Sequence, residues 1–408
     1  VISENQDKTM KHISEIRTRI RDLHLTDEVE LVTQLIKIAN LSKKDRIEIV
    51  ENAAFLVEKI RSDKNPGLME VFLAEYGLSN SEGIALMCLA EALLRVPDAY
   101  TMDELIEDKL TDKGWSHHIG NSSSSLVNAS TWALILTGKV LDETKESKIH
   151  SAMHRLIKRV GEPVIRQAVK AAMKEMGNQF VLGETIEKAV KRGQKRQKND
   201  YTYSYDMLGE AAITDNDAIK FTKAYADTIS YLAKHSKDSD VRNNPGISIK
   251  LSALFPRYEL IHKSAVLETM GKRLSNLILM ARNANMGLNI DAEEADRLDL
   301  SLDVIEHALS DPRLKGWDGF GVVVQAYGKR AIAVIDWLHA LSEKLDRKIM
   351  IRLVKGAYWD TEIKRTQTDA FDNYPVFTKK CATDISYLAC ARRLLDFSDR
   401  IYPQFATH

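Results

Sequence analysis

Cysteine is scarce in this chain of 408 residues: Cys88, Cys381 and Cys390 are the three, and they form no CxxC pair. An odd, scattered set excludes a disulfide framework and a zinc ribbon, and reads as core thiols in a reducing compartment. Proline is sparse at 8 residues, glycine numbers 19, and low-complexity tracts are lacking, which excludes collagen-like and disordered classes. An excess of one charge is lacking too, since 58 Lys and Arg balance 58 Asp and Glu, so no overall field draws the chain to nucleic acid or an anionic membrane. No apolar run reaches the ~18 residues of a membrane span. The opening VISENQDK has neither a signal peptide's apolar core nor an initiator Met, so the natural protein is expected to begin earlier.

What is there is an ordered chain, 44% hydrophobic and long enough for two or three domains. Residues 1–60 carry apolar positions at three and four spacing in ISEIRTRIRDL and VELVTQLIKIANL, predicting an arm of amphipathic helices that leans on another element. After the break at Ser62–Gly67, residues 61–185 read as a helical domain. Its apolar segment EGIALMCLAEALLRV is a buried helix, and no strand pattern is seen before about residue 240. His150 and His154 have the spacing of a helical metal pair but lack a third ligand, so a solvated face is the reading and no metal is assigned; His117 and His118 fall in a loop. The basic run Glu187–Asp200 has no aromatic interleaving and reads as exposed helix rather than a phosphate or nucleic-acid contact. Asp206 and Glu210 sit one helical turn apart, either as a pair at a pocket mouth or as an acidic helix cap.

From Gly246 short strand patterns alternate with helical ones. GISIKLSAL puts Ile247, Ile249 and Leu251 on one face and Ser248 and Lys250 on the other; LNIDAE sets Leu288 and Ile290 against Asn289 and Asp291. GFGVVVQAY places Gln325 beside Val323, and KIMIRLVKGAYWD points Arg352 where a core would want a methyl group. The helical segments between have connecting length, and no GxGxxG follows the first strand. The predicted class is therefore α/β, a (β/α)8 TIM-like barrel over residues 186–408 preceded by the helical arm and helical domain. Pro375–Thr378 is expected as a fifth short strand and IYPQFATH as a sixth, so roughly two of a barrel's eight units are absent and the chain reads as a fragment.

Lys250, Asp291, Gln325 and Arg352 lie near the carboxyl ends of four successive strands and converge on one mouth. Two chemistries fit. Lys250 or Lys355 forms a Schiff base in an aldolase-like barrel, with Asp291 moving protons. Alternatively Arg352, Gln325 and the flat residues Tyr358 and Trp359 hold a planar redox cofactor such as a flavin.

SYDMLGEAA, GISIKLSALFPRYE, NIDAEEADRL, VVVQAYGKR, IRLVKGAYWDTEIKR, TDISYLACA and YPQFATH together closely resemble the proline dehydrogenase module of bacterial proline utilization A proteins, from about residue 80 to the end. The resemblance implies a distorted barrel holding noncovalent FAD. It also implies oxidation of L-proline to Δ1-pyrroline-5-carboxylate, with electrons passing to a membrane quinone. On it Lys250 and Asp291 match the substrate-side pair, with Tyr358 beside them, and Asp206 and Glu210 match acidic residues that gate the site. Asp291, Gln325, Arg352, Val354, Lys355, Gly356, Ala357 and Trp359 match flavin contacts, Arg352 near N5; Thr378, Ala406, Thr407 and His408 match the pocket's far side. A cytoplasmic, peripherally membrane-associated protein follows, with an aldehyde dehydrogenase module in the full chain and a homodimer allowed. Two departures stand out. The family's Tyr-x-x-Arg-Arg helix, which holds the proline carboxylate, would fall beyond His408, and Arg392 and Arg393 follow Tyr387 at the wrong spacing to replace it. A ribbon-helix-helix DNA-binding segment, carried by some members, is not visible.

Overall fold

The computed structural model describes residues 2–62, 181–197 and 200–406. His117, His118, His150, His154, Cys88, Thr407 and His408 lie outside them. The chain divides into two compact units, residues 1–48 with 196–408, and residues 49–195. In the second, helix α4 (Ile186–Gln197) takes up much of the basic run. It buries Ala189 and Val190 and leaves Lys188, Lys191 and Lys195 exposed, the solvated face the charge pattern predicts.

The first unit is built on six parallel strands in sequential order: β1 (Ser204–Asp206), β2 (Gly246–Ile249), β3 (Gly287–Ile290), β4 (Phe320–Gln325), β5 (Ile349–Val354) and β6 (Ile401–Phe405). Helices α5 (Asp215–Ala233), α6 (Gly271–Asn283), α7 (Leu298–Leu309), α8 (Ala331–Lys344), α9 (Trp359–Thr368) and α10 (Lys380–Asp396) fall between them. One strand face carries the apolar core: Ile247, Ile249, Leu288, Ile290, Phe320, Ile349, Ile351 and Leu353 are each at most 1% exposed. In parallel pairing, register partners share a face, so Asp206, Ser248, Asn289, Gly321, Met350 and Tyr402 form one layer on the opposite side. Apart from Met350 and Tyr402 that inner layer is polar or small, where the outer face is apolar throughout. The parallel α/β order meets the expectation; among the described residues no pairing joins β6 back to β1, so a closed barrel is not seen.

Two strand expectations are corrected. β1 lies well before residue 240; at three residues, with only Tyr205 buried, it is too short to show a period. Pro375–Thr378 is not a member of the sheet. Val376 makes an isolated antiparallel bridge to Gly328, and Phe377 N donates to Tyr327 O at 2.8 Å, so the segment folds back over the end of β4. A third correction concerns the thiols, because Cys390 is buried but Cys381 is exposed.

The first two helices of the arm, which belong to this unit, pack on its helical layer, whereas α3 (Lys43–Arg61) has no buried residue. From α1 (Ile2–Asp22), Arg17 lies 5.4 Å over the ring of Trp337 in α8 and bonds Asp303 at 2.9 Å. α2 (Glu28–Ala39) packs on α10, where Arg392 donates to the Ala39 carbonyl at 3.2 Å. Arg393 lies 3.5 Å from Asp336 of α8. Both arginines are thus engaged on the helical layer rather than at the strand ends, as their spacing had suggested.

Candidate active site

Three of the polar positions expected from period two, Lys250, Asp291 and Arg352, come together, while Gln325 bonds the backbone of neighbouring loops. Lys250, in the residue after β2, places Nζ 2.9 Å from Asp291 Oδ2 and 3.3 Å from Asp206 Oδ1. Burial works against the ammonium, but the two carboxylates outweigh it and raise its pKa. Burial raises the Asp291 pKa as well, opposed by Lys250 and assisted by repulsion from Asp206. One cation is therefore shared by two acids, which keeps Lys250 protonated.

Arg352 enters from β5. Its Nη1 donates to Ser248 Oγ and its Nη2 to Ser204 Oγ, each at 2.9 Å, while the nearest carboxylate oxygen, Asp291 Oδ1, lies 3.9 Å away. The guanidinium thus spends its short bonds on neutral hydroxyls and keeps its charge for another acceptor, which fits the electron-rich rim of a flavin. The two serines went unassigned. Ser248 shares the face of Lys250 in the alternation, which was the available signal; Ser204 had none, because β1 itself was not recognised.

Asp206 and Glu210 do not lie on a helix. Asp206 ends β1, and Glu210 sits in the loop beyond it, so neither is part of a helix cap. Glu210 reaches the site differently: Tyr358 Oη donates to its Oε2 at 3.4 Å. Burial, followed by the charges of Glu210, Glu293 and Glu294, raises the Tyr358 pKa and keeps the phenol protonated.

Residues 354–357 of the proposed cofactor wall are continuous in the chain, with Gln325 bonded to Ala357. Val354 ends β5, and Lys355, Gly356 and Ala357 follow as a loop with Gly356 at φ 149°, in the region glycine tolerates. Gln325 donates from Nε2 to Glu293 O at 2.9 Å and accepts from Ala357 N at 3.0 Å, so both ends of its amide are already engaged by backbone. Trp359 opens α9 and is 42% exposed, with Nε1 donating to Phe377 O at 2.8 Å, so its ring presents a face while its polar edge is satisfied. Lys355 pairs with Asp384 of α10, which Lys380 also reaches at 2.7 Å. Thr378 is turned toward the arm: its N and Oγ1 both donate to Glu28 Oε2, at 3.0 and 2.9 Å. The Ala406 carbonyl accepts from Tyr387 Oη at 2.9 Å.

These features define an α/β protein with a cluster of charged side chains at the carboxyl ends of a curved parallel sheet. Residues 189–408 match the family described as "Proline dehydrogenase", residues 14–61 the "Proline utilization A proline dehydrogenase N-terminal domain", and residues 68–180 the "DNA-binding domain of Proline dehydrogenase". The chain belongs to the proline dehydrogenase family. It is 47% identical over 396 residues to the bifunctional protein PutA of Escherichia coli, an alignment covering 96% of this chain and 30% of that one. It is 27% identical over 218 residues to a proline dehydrogenase of Deinococcus radiodurans, covering 52% of this chain and 63% of that one. A crystal structure of a variant of Bradyrhizobium japonicum proline utilization A superposes with a TM-score of 0.68 at 46% identity, covering 94% of this chain and 38% of that one. The chain thus spans about a third of the PutA relatives' length.

The match over residues 68–180 overturns the expectation that no DNA-binding segment is visible. The pattern sought was ribbon-helix-helix, whereas the match falls on the stretch read only as a helical domain, outside the described residues.

Proposed function

We propose that this chain carries the FAD-dependent oxidation of L-proline to Δ1-pyrroline-5-carboxylate, the first step of proline catabolism. The observation that carries the reading is the Lys250–Asp291–Asp206 cluster facing Arg352 across one polar mouth, in a chain of the proline dehydrogenase family. FAD would be held by Arg352, Asp291, Gln325, the backbone of Val354, Lys355, Gly356 and Ala357, and Trp359, with Thr378, Ala406, Thr407 and His408 on the far side. When bound it supplies, at N5, the acceptor for the hydride leaving proline's ring carbon.

The protein's task is to present a neutral, aligned, dry amine. A permanently protonated Lys250 disfavours a second cation beside it, which lowers the proline ammonium pKa. Asp291, its own pKa raised by burial, accepts the amine proton at Oδ1, the oxygen that Lys250 leaves free. Tyr358 lies beside the substrate, and Glu210 and Asp206 gate the entrance. A Schiff base at Lys250 is the weaker reading, because a nucleophilic amine needs its pKa lowered and Lys250 has it raised.

Electrons are proposed to pass to a membrane quinone from a cytoplasmic, peripherally associated protein; no helix among the described residues is long and apolar enough to cross a membrane. The arm over residues 1–60, the helical domain over 61–185 and the dehydrogenase region over 186–408 remain the proposed layout. An aldehyde dehydrogenase module is proposed for the full protein, by analogy with a relative called bifunctional, and a homodimer for its assembly. The visible absorbance of the purified protein, before and after adding L-proline, tests the activity. The flavin band is expected to bleach, and a bound flavin indifferent to proline would overturn the reading.

A further inference from the structure

Ser252 and Glu293 belong to none of the roles above, yet both are buried among them. Ser252, in the loop after β2, is 2% exposed, and the Glu293 side chain is 5% exposed in the loop after β3. Ser252 uses every polar group it has. Its Oγ accepts from Ala211 N at 3.0 Å, its carbonyl accepts from Ala212 N at 2.9 Å, and its own N–H donates to Glu293 Oε2 at 3.0 Å. Glu293 is held in turn by Arg297, 3.3 Å from Oε1, while its carbonyl takes the Gln325 amide.

Followed around the mouth, these bonds form a closed circuit. Gln325 passes it from the loop after β3 to Ala357 after β5; Tyr358, the next residue, returns it to Glu210 after β1; Glu210 is covalently next to Ala211, which bonds Ser252. Loops after β1, β2, β3 and β5, with the last residue of β4, are thereby joined in one ring. The loop after β1 needs that support. Ala211 sits at φ 54° and Gly209 at φ 138°, and a non-glycine residue in the left-handed region is strained unless its surroundings hold it there. Ser252 is what holds Ala211.

We propose that Ser252 and Glu293 are positioning residues: they fix the loop after β1 so that Glu210 meets Tyr358, and so set the affinity of the site for L-proline without touching the substrate. The assignment rests on the proline reading above.

Two measurements on the full chain test it. Amide hydrogen exchange reads the ring itself, whatever the substrate: Ser252→Ala removes the hydroxyl that accepts from Ala211 N and also bonds the Glu293 carboxylate, while keeping the Ser252 backbone bonds, and exchange at Ala211 is expected to rise roughly fivefold, the factor one neutral hydrogen bond corresponds to. Steady-state kinetics with L-proline and an artificial electron acceptor read the consequence. Ser252→Ala is expected to raise KM by a similar factor with kcat changed by less than about twofold, and Glu293→Gln to raise it less than Glu293→Leu. In a Tyr358→Phe background the ring is already open, and the Ser252→Ala effect on KM is expected to vanish; a fold-wide disturbance would instead add in full. Unchanged exchange at Ala211, or a KM effect that persists undiminished in that background, overturns the inference. A wild-type chain that ignores proline would sink the functional reading instead, and the exchange comparison would still decide whether the ring exists.

Discussion

Arg352 in β5 donates from Nη2 to the hydroxyl of Ser204 in β1 across 2.9 Å, although three strands lie between theirs in the sheet. In a flat sheet, strands four places apart would be about 19 Å from each other, several times the reach of an arginine. The contact therefore requires a strongly curled sheet with its polar face inside. Arg242, just before β2, lying 5.7 Å over the Tyr402 ring of β6 requires the same. The guanidinium stands at once as a strut across the mouth and as the cation facing the proposed cofactor.

Arg352→Met separates those roles. In the proposed site, removing this positive charge would destabilise the reduced flavin, so the flavin potential is expected to fall while FAD stays bound. Spectroelectrochemical titration checks this, and a potential identical to wild type would remove Arg352 from the flavin's redox-active face.

Lys250→Met leaves Asp291 buried opposite Asp206 with no shared cation. Breaking a buried pair by removing one partner costs about 3 kcal/mol, unless the acid takes up a proton. Urea unfolding is expected to show a smaller loss at pH 5 than at pH 8, because protonating Asp291 relieves the repulsion; kcat/KM for proline is expected to fall at least about a hundredfold. Equal losses at both pH values would mean that Asp291 does not carry the unpaired charge.

Trp359→Phe keeps a flat ring but removes the Nε1 donor to Phe377 O. The loss of one neutral hydrogen bond, about 1 kcal/mol, is expected to weaken FAD binding roughly fivefold and leave the KM for proline within about twofold. Fluorescence titration of the apoprotein with FAD measures the first, and a shifted KM with unchanged FAD affinity would place Trp359 on the substrate side.

His24, in the turn after α1, has its pKa pushed down to about 4 by burial and by the neighbouring Arg330, with Lys329 acting in the same direction against Asp296 and Asp299. Above its ordinary value of 6.5 the folded and unfolded rings are both neutral. Below it the unfolded chain takes up a proton that the folded ring refuses, so stability is lost as pH falls from 6.5 through about 4. The melting temperature of His24→Gln is expected to drop less than that of wild type between pH 7 and pH 4.5; parallel declines would show that another group controls arm docking.

Much of the site was legible from alternation alone. β2, β3, β4 and β5 each bury one apolar face, so a polar residue on the other face stands out, and Lys250, Asp291, Gln325 and Arg352 were found in that way. β1 escaped because three residues cannot establish a period, and with it went the proper setting of Asp206 and Glu210. Pro375–Thr378 misled for the opposite reason. Its apolar residues are buried, but by an antiparallel bridge over the end of β4 rather than by a place in the sheet.

Strands β2 to β5, the helices between them and the inward direction of four polar side chains can be read from sequence, because period and polarity are local properties of a chain. The tertiary structure alone decided which groups meet. Lys250 shares its charge with Asp206, 44 residues before it, and Tyr358 reaches Glu210 across 148. Only the curl of the sheet brings those loops together, and curl arises from strand pairing and helix packing that no short stretch of sequence records.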